Sequence, residues 1–459
     1  MNYSTDFIKE DYINELLNAD VSEVNFNEIL EKANDFKGLN HKEVAALLNC
    51  EDESVIEEIF KIAKKTKKDI YGDRIVMFAP IYISDYCVNT CDYCGFKSCN
   101  ETKRRKLTAE ELKDEVKVLV ENGHKRLALE AGEDPENCPI EYVIESIKTI
   151  YSMKFKNGNI RRLNVNIAAT SVEEFKMLKD AEIGTYILFQ ETYHRESYDK
   201  FHIAGPKKNY DYHTTAFHRA MEAGIDDVGG GVLFGLYEPN FEVLALMLHN
   251  EELENKFGVG FHTVSMPRIR KAKGMVESKY KYSVEDKLFL KLAAIIRVAI
   301  PYTGIIISTR ESEEMRLKLF ELGITQVSGG SKVGVGAYKK SEEKNKQFEV
   351  ADERTQLEVA YWLMEQGLLP SFCTACYRSG RTGDRFMSLA KSGNIKNVCL
   401  PNGILTLMEY TLDYGDEKFA DLAYKLIDKN IENIGNNKVK KLVLSYIEEM
   451  KAGKRDLFV

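Results

Sequence analysis

Long apolar runs are missing from this sequence of 459 residues, and their absence limits where the chain can work. No apolar stretch approaches the roughly 20 residues that a membrane-spanning helix needs. The first residues, Met1 to Asp6, are polar, and no apolar segment of the kind found in a secretory signal peptide follows them. We therefore expect no membrane span and no membrane partner.

An excess of positive charge is also missing. The chain has 64 Lys and Arg residues against 72 Asp and Glu residues, which gives a formal net charge of -8. Because nucleic-acid affinity rests largely on Lys and Arg against phosphate, this balance argues against a general nucleic-acid-binding protein. The nine cysteines are an odd number in a long chain without a secretion signal. They favour free thiols in a reducing compartment, and we expect a cytoplasmic protein.

A compact cysteine motif occupies residues 87–94. Three residues separate Cys87 from Cys91 and two separate Cys91 from Cys94, so the three thiols can turn inward on one loop. A 4Fe–4S cluster held by only three cysteines keeps one iron free for an outside ligand. Chance clustering of buried cysteines and a zinc site are the alternatives, although zinc sites usually close with four ligands.

A second cysteine set lies near the end of the chain. Two residues separate Cys373 from Cys376, and twenty-two more separate Cys376 from Cys399. This spacing suggests a second metal site. The other three cysteines are interpreted as ordinary thiols: Cys50, Cys99 and Cys138.

The pattern of apolar residues divides the chain into three parts. Residues 1–75 place apolar groups at helical spacing and predict a helical N-terminal extension. Residues 76–335 alternate short apolar runs with amphipathic segments, which predicts an α/β fold: a (β/α)8 TIM-type barrel of eight parallel strands. Residues 336–459 predict a helical C-terminal domain that carries the second cysteine set. Polar composition at residues 333–350 predicts a mobile linker. The predicted strands are residues 77–84, 126–131, 163–168, 185–190, 228–235, 262–267, 304–308 and 325–328.

The predicted strands end in polar residues, and the active site of such a barrel lies at the carboxyl ends of its strands. The first cysteine loop follows strand one, and Gly132-Glu133 follows strand two. His262 begins strand six. Four further histidines lie close together in sequence and leave a zinc site open as an alternative to loop and helix hydrogen bonding. The remaining candidates are Asn166 on strand three, Gln190, Glu191 and Tyr193 at strand four, Ser308 and Arg310 at strand seven, and the histidines His194, His202, His213 and His218.

Together these features resemble the tyrosine lyases of the radical S-adenosylmethionine (SAM) enzymes. The resemblance rests on the first cysteine loop, Gly132-Glu133, residues 189–194 and residues 308–311, and it extends over nearly the whole chain. Two branches share this core: the ThiH type of thiamine biosynthesis and the HydG type of FeFe-hydrogenase maturation. The second cysteine set is similar to the auxiliary-cluster extension of the HydG branch, which the ThiH branch lacks.

The resemblance implies two 4Fe–4S clusters and SAM as cofactors. A deoxyadenosyl radical from SAM would cleave L-tyrosine to p-cresol and dehydroglycine, and a second cluster extended by a fifth iron would convert dehydroglycine to carbon monoxide and cyanide. The resulting Fe(CO)(CN) unit would serve assembly of the hydrogenase active site. The implied partners are other hydrogenase maturases and an electron donor of the ferredoxin or flavodoxin type.

Residue roles follow from the resemblance and from side-chain chemistry. Tyr93 is predicted to line the adenosyl group, and Glu133 to bind the methionyl ammonium of SAM. Arg310 is predicted to bind a carboxylate of the substrate or of SAM, because its planar guanidinium matches one with two hydrogen bonds; an ion pair with Glu311 or another acid at the strand ends is the alternative. His262 is predicted to bind the additional iron, against the alternative of an ordinary buried histidine. Further predicted contacts are Gly132, Asn166 and Ser308 with the cofactor and Gln190, Glu191 and Tyr193 with tyrosine.

Three alternative functions stay open at this stage. A ThiH-like 2-iminoacetate synthase would stop at dehydroglycine. A non-catalytic iron–sulfur carrier would need no SAM or substrate pocket, so the polar strand ends argue against it. A different chemistry on the same barrel, such as tryptophan cleavage, is compatible with the same residues.

Overall fold

The computed structural model describes residues 3–339 and 345–459. Four helices come first, and side chains cap two of them: Asn40 with Glu43 forms a capping box at α3, and Asp52 accepts a hydrogen bond from the Ser54 amide at α4. The apolar face of α4 packs on the later helix α12 and anchors this extension to the rest of the chain. The bounds are α1 (Glu10–Leu17), α2 (Phe26–Asn34), α3 (His41–Asn49), α4 (Glu53–Tyr71) and α12 (Asp286–Ala299).

Eight parallel strands then form a closed barrel, as predicted. The strands pair in sequence order from β2 to β8, and β1 closes the barrel by pairing with both β8 and β2. The fourth strand is much shorter than predicted, and His262 lies directly before the sixth. The strands are β1 (Arg74–Ser84), β2 (Arg126–Ala131), β3 (Arg162–Asn166), β4 (Tyr186–Ile187), β5 (Val228–Gly231), β6 (Thr263–Ser265), β7 (Gly304–Ile307) and β8 (Gln326–Ser328).

Helices connect successive strands and cover the outside of the barrel. On β1 the odd-numbered residues from Ile75 to Ile83 are buried against this layer, whereas the even-numbered residues face the lumen. The remaining barrel helices are α5 (Ala109–Glu121), α6 (Ile140–Ser152), α7 (Val172–Asp180), α8 (Arg195–Phe201), α9 (Tyr210–Thr214), α10 (Ala216–Glu222), α11 (Pro239–Phe257) and α13 (Glu313–Glu321).

The last part of the chain is helical except for one strand that the sequence did not predict. Strand β9 (Leu369–Ser371) adds to β1 in parallel, with Leu369 opposite Arg74. Its three residues include Pro370, which is tolerated here because the strand lies at the edge of the sheet. The helices are α14 (Gln356–Glu365), α15 (Ala375–Arg378), α16 (Gly383–Lys391), α17 (Lys396–Tyr414), α18 (Glu417–Glu432) and α19 (Asn437–Lys451).

The prediction of a mobile linker at residues 333–350 is wrong for the residues that the structure describes. Val333, Val335 and Phe348 are buried, and the Gly95 amide donates a hydrogen bond to the Gln347 carbonyl at 2.9 Å. Their apolar side chains pack against the barrel despite the polar composition around them. Residues 340–344 of this prediction lie outside the described residues. No helix in the described part of the chain is long and apolar enough to span a membrane.

Candidate active site

A cavity of about 210 Å³ opens at the carboxyl ends of the strands and contains the first cysteine set. Cys87, Cys91 and Cys94 all line it, directly beyond the end of β1. The Phe96 amide donates to Cys94 Sγ at 3.4 Å, and Asn89 Nδ2 lies 3.8 Å from Cys87 Sγ. Burial raises the pKa of Cys94 to about 11, so iron binding here must displace a thiol proton. Three thiols around one cavity, with donors aimed at two of them, fit a cluster ligand set.

Gly132 allows Glu133 to lie against the cysteine loop. A Cβ atom on Gly132 would lie 2.3 Å from the Tyr86 carbonyl oxygen, so no larger residue fits without a shift of the backbone. The Val88 amide donates to the Glu133 carbonyl at 2.8 Å, and Asn89 Nδ2 donates to Glu133 Oε2 at 2.6 Å. Both Gly132 and Glu133 line the cavity beside Cys87. The structure thus brings the predicted SAM-binding carboxylate to the first cysteine set.

Glu191 and Lys207 form an ion pair on the wall of the same cavity. Lys207 Nζ lies 2.7 Å from Glu191 Oε1, and both side chains are mostly buried. Glu191 has a φ of 70°, a left-handed conformation that costs energy for a residue with a side chain. Lys207 was not among the predicted site residues. A signal was present in the Gly205-Pro206 turn directly before it, which brings the Lys207 amide within 2.9 Å of Asn89 Oδ1 on the cysteine loop.

Gln190 and Tyr193 do not line the cavity, although both were predicted to orient a substrate. Gln190 Nε2 donates to Thr214 Oγ1 at 2.8 Å, and the Tyr193 hydroxyl lies 2.9 Å from His249 Nδ1. Both side chains are buried, and the left-handed Glu191 lies between them in the chain. We assign neither residue a direct contact with a substrate.

Arg310 faces the cavity from beyond the end of β7. Its guanidinium stacks on the Phe348 ring, with 3.4 Å between the guanidinium carbon and the ring centroid. The alternative of an ion pair with Glu311 does not hold, because Glu311 is paired with Arg268 and Arg270 instead. Within the described residues, Arg310 forms no ion pair. The other predicted cavity residues are also present in its lining: Tyr93, whose hydroxyl lies 2.8 Å from His202 Nε2, Asn166 and Ser308.

The second cysteine set lines a separate, smaller cavity at the amino ends of the strands. Cys373 follows β9, Cys376 lies on α15 and Cys399 on α17. His262 lines the same cavity, and its Nε2 atom lies 3.4 Å from the Tyr377 hydroxyl. Burial lowers the pKa of His262, which favours the neutral imidazole that can bind a metal. The structure therefore brings His262 and the second cysteine set together.

Positive groups surround this second set. The Nε atoms of Arg74, Arg126 and Arg381 are buried, and none has a hydrogen-bond partner in the described part of the chain. The same is true of the Thr374 hydroxyl. Burial alone would lower the pKa of Arg74, but the three cysteine thiolates outweigh it and raise that pKa. Buried donors without partners beside three thiols fit an anionic iron–sulfur cluster, which would supply the missing acceptors.

The two cysteine sets lie at opposite ends of one lumen. We call the cavity at the carboxyl ends of the strands, with Cys87, the upper cavity, and the one at their amino ends, with Cys373, the lower cavity. Arg74 and Val76 of β1 line the lower cavity, and Phe78 and Tyr82 of the same strand line the upper one. At about 3.3 Å per residue, the two ends of this eleven-residue strand are on the order of 30 Å apart. Two chemical steps can therefore be held apart in one chain.

Neither set forms a single-ion site. Among residues 3–339 and 345–459, no three His, Cys, Asp or Glu side chains surround the position of one metal ion. The ligands of one zinc ion all lie about 2–2.3 Å from it. A four-iron cluster places its own atoms between the thiolates, so its cysteines need not converge on one point.

Comparisons with known proteins identify the class. Residues 81–249 match the family model of the Radical SAM superfamily, and residues 265–369 match that of the Biotin and Thiamin Synthesis associated domain. The 2-iminoacetate synthase of Escherichia coli (strain K12) is 27% identical over 343 residues, which are 74% of this chain and 89% of that protein. With a closed parallel barrel and a three-cysteine loop beyond its first strand, the chain is a radical SAM enzyme.

Two crystal structures identify the branch. The chain in the crystal structure of HydG, a maturase of the FeFe-hydrogenase, shares 54% sequence identity with this chain. The two superimpose with a TM-score of 0.96, and the match covers 99% of this chain and all of that one. The HydG of Carboxydothermus hydrogenoformans is 36% identical with a TM-score of 0.85, covering 97% and 100%. This chain belongs to the HydG family of FeFe-hydrogenase maturases. The predicted resemblance is confirmed.

Proposed function

We propose that this chain cleaves L-tyrosine to p-cresol and dehydroglycine in the upper cavity and converts dehydroglycine to carbon monoxide and cyanide at the lower one. The observation that carries the proposal is the pair of cysteine sets at opposite ends of one lumen, each lining its own cavity. A lyase that stopped at dehydroglycine would need only the upper set.

When bound, SAM and the first 4Fe–4S cluster supply a 5′-deoxyadenosyl radical, and a second 4Fe–4S cluster with an additional iron supplies the metal that takes up carbon monoxide and cyanide. Cys87, Cys91 and Cys94 hold the first cluster. Glu133, fixed by Asn89, binds the methionyl ammonium of SAM. Tyr93, Asn166 and Ser308 complete the wall on the cofactor side.

The upper cavity also has what substrate binding requires. Arg310 presents a guanidinium without a carboxylate partner among the described residues, which suits the carboxylate of an amino acid. Phe348 and Val333 also line this cavity and are buried, so they limit the access of water to a reactive intermediate. The arrangement favours chemistry on a small zwitterion shielded from solvent.

The residues of the lower cavity serve the second step. Cys373, Cys376 and Cys399 hold the second cluster, and His262 binds the additional iron through its neutral imidazole. We assign residues 336–459 to the unit that carries this site, residues 76–335 to the barrel and residues 1–75 to the helical extension. None of the nine cysteines forms a disulfide, which agrees with a reducing compartment, and we place the enzyme in the cytoplasm.

The partners follow from this chemistry. An electron donor of the ferredoxin or flavodoxin type reduces the first cluster. Other hydrogenase maturases receive the Fe(CO)(CN) unit for assembly of the hydrogenase active site.

The test is an anaerobic assay of three products. The protein is reconstituted with iron and sulfide, supplied with SAM, dithionite and L-tyrosine, and assayed for p-cresol, carbon monoxide and cyanide. We expect all three from the wild type, and p-cresol without carbon monoxide from Cys376→Ala. Cys50→Ala, which removes a buried thiol from neither set, is the control and should retain all three products.

Two results would contradict the proposed function. If the wild type makes p-cresol but never carbon monoxide or cyanide, even with added iron and cysteine, the chain is a 2-iminoacetate synthase like its E. coli relative. If reduction with SAM yields no 5′-deoxyadenosine, the protein is a cluster carrier and not a lyase.

A further inference from the structure

The charged residues of the upper cavity do not balance one another. Five line it: Glu130, Glu133, Glu191, Lys207 and Arg310. Glu191 and Lys207 neutralise each other at 2.7 Å. Glu133 is held beside the cysteine loop by Asn89. Two acids, Glu130 and Glu133, and one base, Arg310, are left without an ion pair in the part of the chain that the structure describes. Because Glu133 is assigned to the ammonium of SAM, Glu130 is the acid that remains for a second ligand.

Glu130 is placed to meet a ligand. It lies near the end of β2, where it is in register with Tyr82 on β1 and with Asn166 on β3. Alternation along β2 turns Ala128 and Glu130 into the lumen and Leu127 and Leu129 into the core. Within the described residues, the one hydrogen bond to its carboxyl comes from Asn166 Nδ2, at 2.7 Å to Oε2. Glu130 lines the cavity, and its second carboxyl oxygen accepts no hydrogen bond from the described residues.

Arg310 and Glu130 act on the same region of the cavity. Burial raises the pKa of Glu130 well above its ordinary value, and it outweighs the lowering effects of the Asn166 hydrogen bond and of the positive charge of Arg310. A buried carboxyl in this state gains most from a cationic partner that arrives with a ligand. Phe348, stacked on Arg310, fixes the guanidinium on its side of the cavity.

We propose that Glu130 is a specificity-determining residue that binds the α-ammonium group of the amino acid substrate while Arg310 binds its carboxylate. Beside the incoming ammonium the Glu130 carboxyl ionises and releases its proton to solvent, so the pair then offers one negative and one positive group, the complement of a zwitterion. A ligand with only one of the two charges leaves either Glu130 or Arg310 buried and unpaired, and that penalty is the basis of selection. This inference rests on the proposed function for the identity of the amino acid, but not for its class.

The test is equilibrium binding to the reconstituted enzyme with SAM and without reductant, so that no turnover occurs. Three ligands are compared by calorimetry: L-tyrosine, 3-(4-hydroxyphenyl)propanoate, which lacks the amino group, and tyramine, which lacks the carboxylate. The variants are Glu130→Gln and Arg310→Gln. Glu115→Gln, a buried glutamate on α5 outside the cavity, is the control.

We expect Glu130→Gln to weaken L-tyrosine binding roughly 10- to 100-fold, the range for a lost hydrogen bond to a charged group. The same variant should leave the affinity for 3-(4-hydroxyphenyl)propanoate within about twofold, because that ligand never contacts Glu130 through an ammonium. Arg310→Gln should behave in the opposite way, with tyramine as the insensitive ligand. The control should change none of the three affinities.

Equal effects of Glu130→Gln on L-tyrosine and on the ligand without an amino group would overturn the inference, while p-cresol formation by the wild type would leave the proposed function standing. If the wild type binds a different α-amino acid and Glu130→Gln weakens it, the inference holds and the assignment of tyrosine fails. If Glu130→Gln does not retain its first cluster, Glu130→Asp, which keeps the charge, and Arg310→Gln decide the question by the same ligand comparison.

Discussion

Replacing Glu242 with glutamine should remove a pH dependence of stability that this residue gives to the barrel. Glu242 lies on α11 and is 1% exposed. Its carboxyl accepts hydrogen bonds from the Thr192 hydroxyl and, at 2.8 Å, from the Tyr193 amide. These contacts hold the chain directly after Glu191, so the residue supports one wall of the upper cavity. Burial raises the pKa of Glu242 to about 8.

The direction in which stability changes with pH follows from proton binding. The folded pKa lies above the value of about 4.3 in an unfolded chain, so between these values the folded state holds a proton that the unfolded state lacks. The contribution of the Glu242 carboxyl to the free energy of unfolding is therefore fully present below the unfolded pKa, and it is lost as the pH rises towards 8. At about 1.4 kcal/mol per pH unit, the loss between pH 6 and pH 7.5 is on the order of 2 kcal/mol.

The assay is urea unfolding of the wild type and Glu242→Gln at both pH values. Near pH 6 the two should be similar, because a protonated carboxyl and an amide are both neutral. At pH 7.5 the variant should be more stable by about 2 kcal/mol. Glu15→Gln, an exposed glutamate on α1, should follow the wild type at both pH values. Identical pH profiles for the wild type and Glu242→Gln would refute the reasoning.

Three further changes have definite expected results. Gly132→Ala places a Cβ 2.3 Å from the Tyr86 carbonyl oxygen, so it should displace the first cysteine loop at a cost of about 1–3 kcal/mol and lower iron content and 5′-deoxyadenosine formation. Arg310→Lys loses two-point binding and the Phe348 stacking, so KM for tyrosine in the p-cresol assay should rise roughly 10-fold or more. Glu191→Gly relieves about 1–2 kcal/mol of left-handed strain but leaves the buried Lys207 charge unpaired, which costs about 3–5 kcal/mol, so the melting temperature should fall.

Each of these changes has a control variant or an outcome that would contradict the reasoning. At Gly435 a Cβ would meet no atom within 4 Å, so Gly435→Ala should keep its iron; normal iron in Gly132→Ala would contradict the steric argument. For Arg310→Lys, an unchanged KM with a lower kcat would show that the guanidinium does not bind substrate. Combining Glu191→Gly with Lys207→Met should restore stability, because no buried charge is left unpaired.

Local patterns predicted most of the fold and the two sets of cysteines that each line a cavity. Cys87, Cys91 and Cys94 are close in sequence, so their spacing alone placed them on one loop. The eight strands were readable because each is a short apolar run bounded by polar residues. Glu130 was missed although alternation along β2 contains the signal, since Leu127 and Leu129 mark the opposite face.

Other features depend on distant parts of the chain. Strand β9 exists only because β1 offers it a free edge, and no pattern within Leu369–Ser371 reports that. Gln190 and Tyr193 were assigned to the cavity from their position after a strand. The left-handed Glu191 lies between them, and Glu242 and Lys207 contact this stretch from other elements. Burial of Val333 and Phe348 likewise depends on the barrel surface beneath them.

The sharing of β1 by both ends of the lumen has a consequence for how the protein is made. The amino half of β1 pairs with β9, and Arg74 and Leu369 are about 300 residues apart in the chain. During synthesis, that edge emerges early and stays open until the last quarter of the chain is available. Contacts between such distant residues form slowly and leave unpaired strand edges exposed to aggregation. The lower site, which needs Cys373, Cys376 and Cys399, can therefore form only after most of the chain has been made.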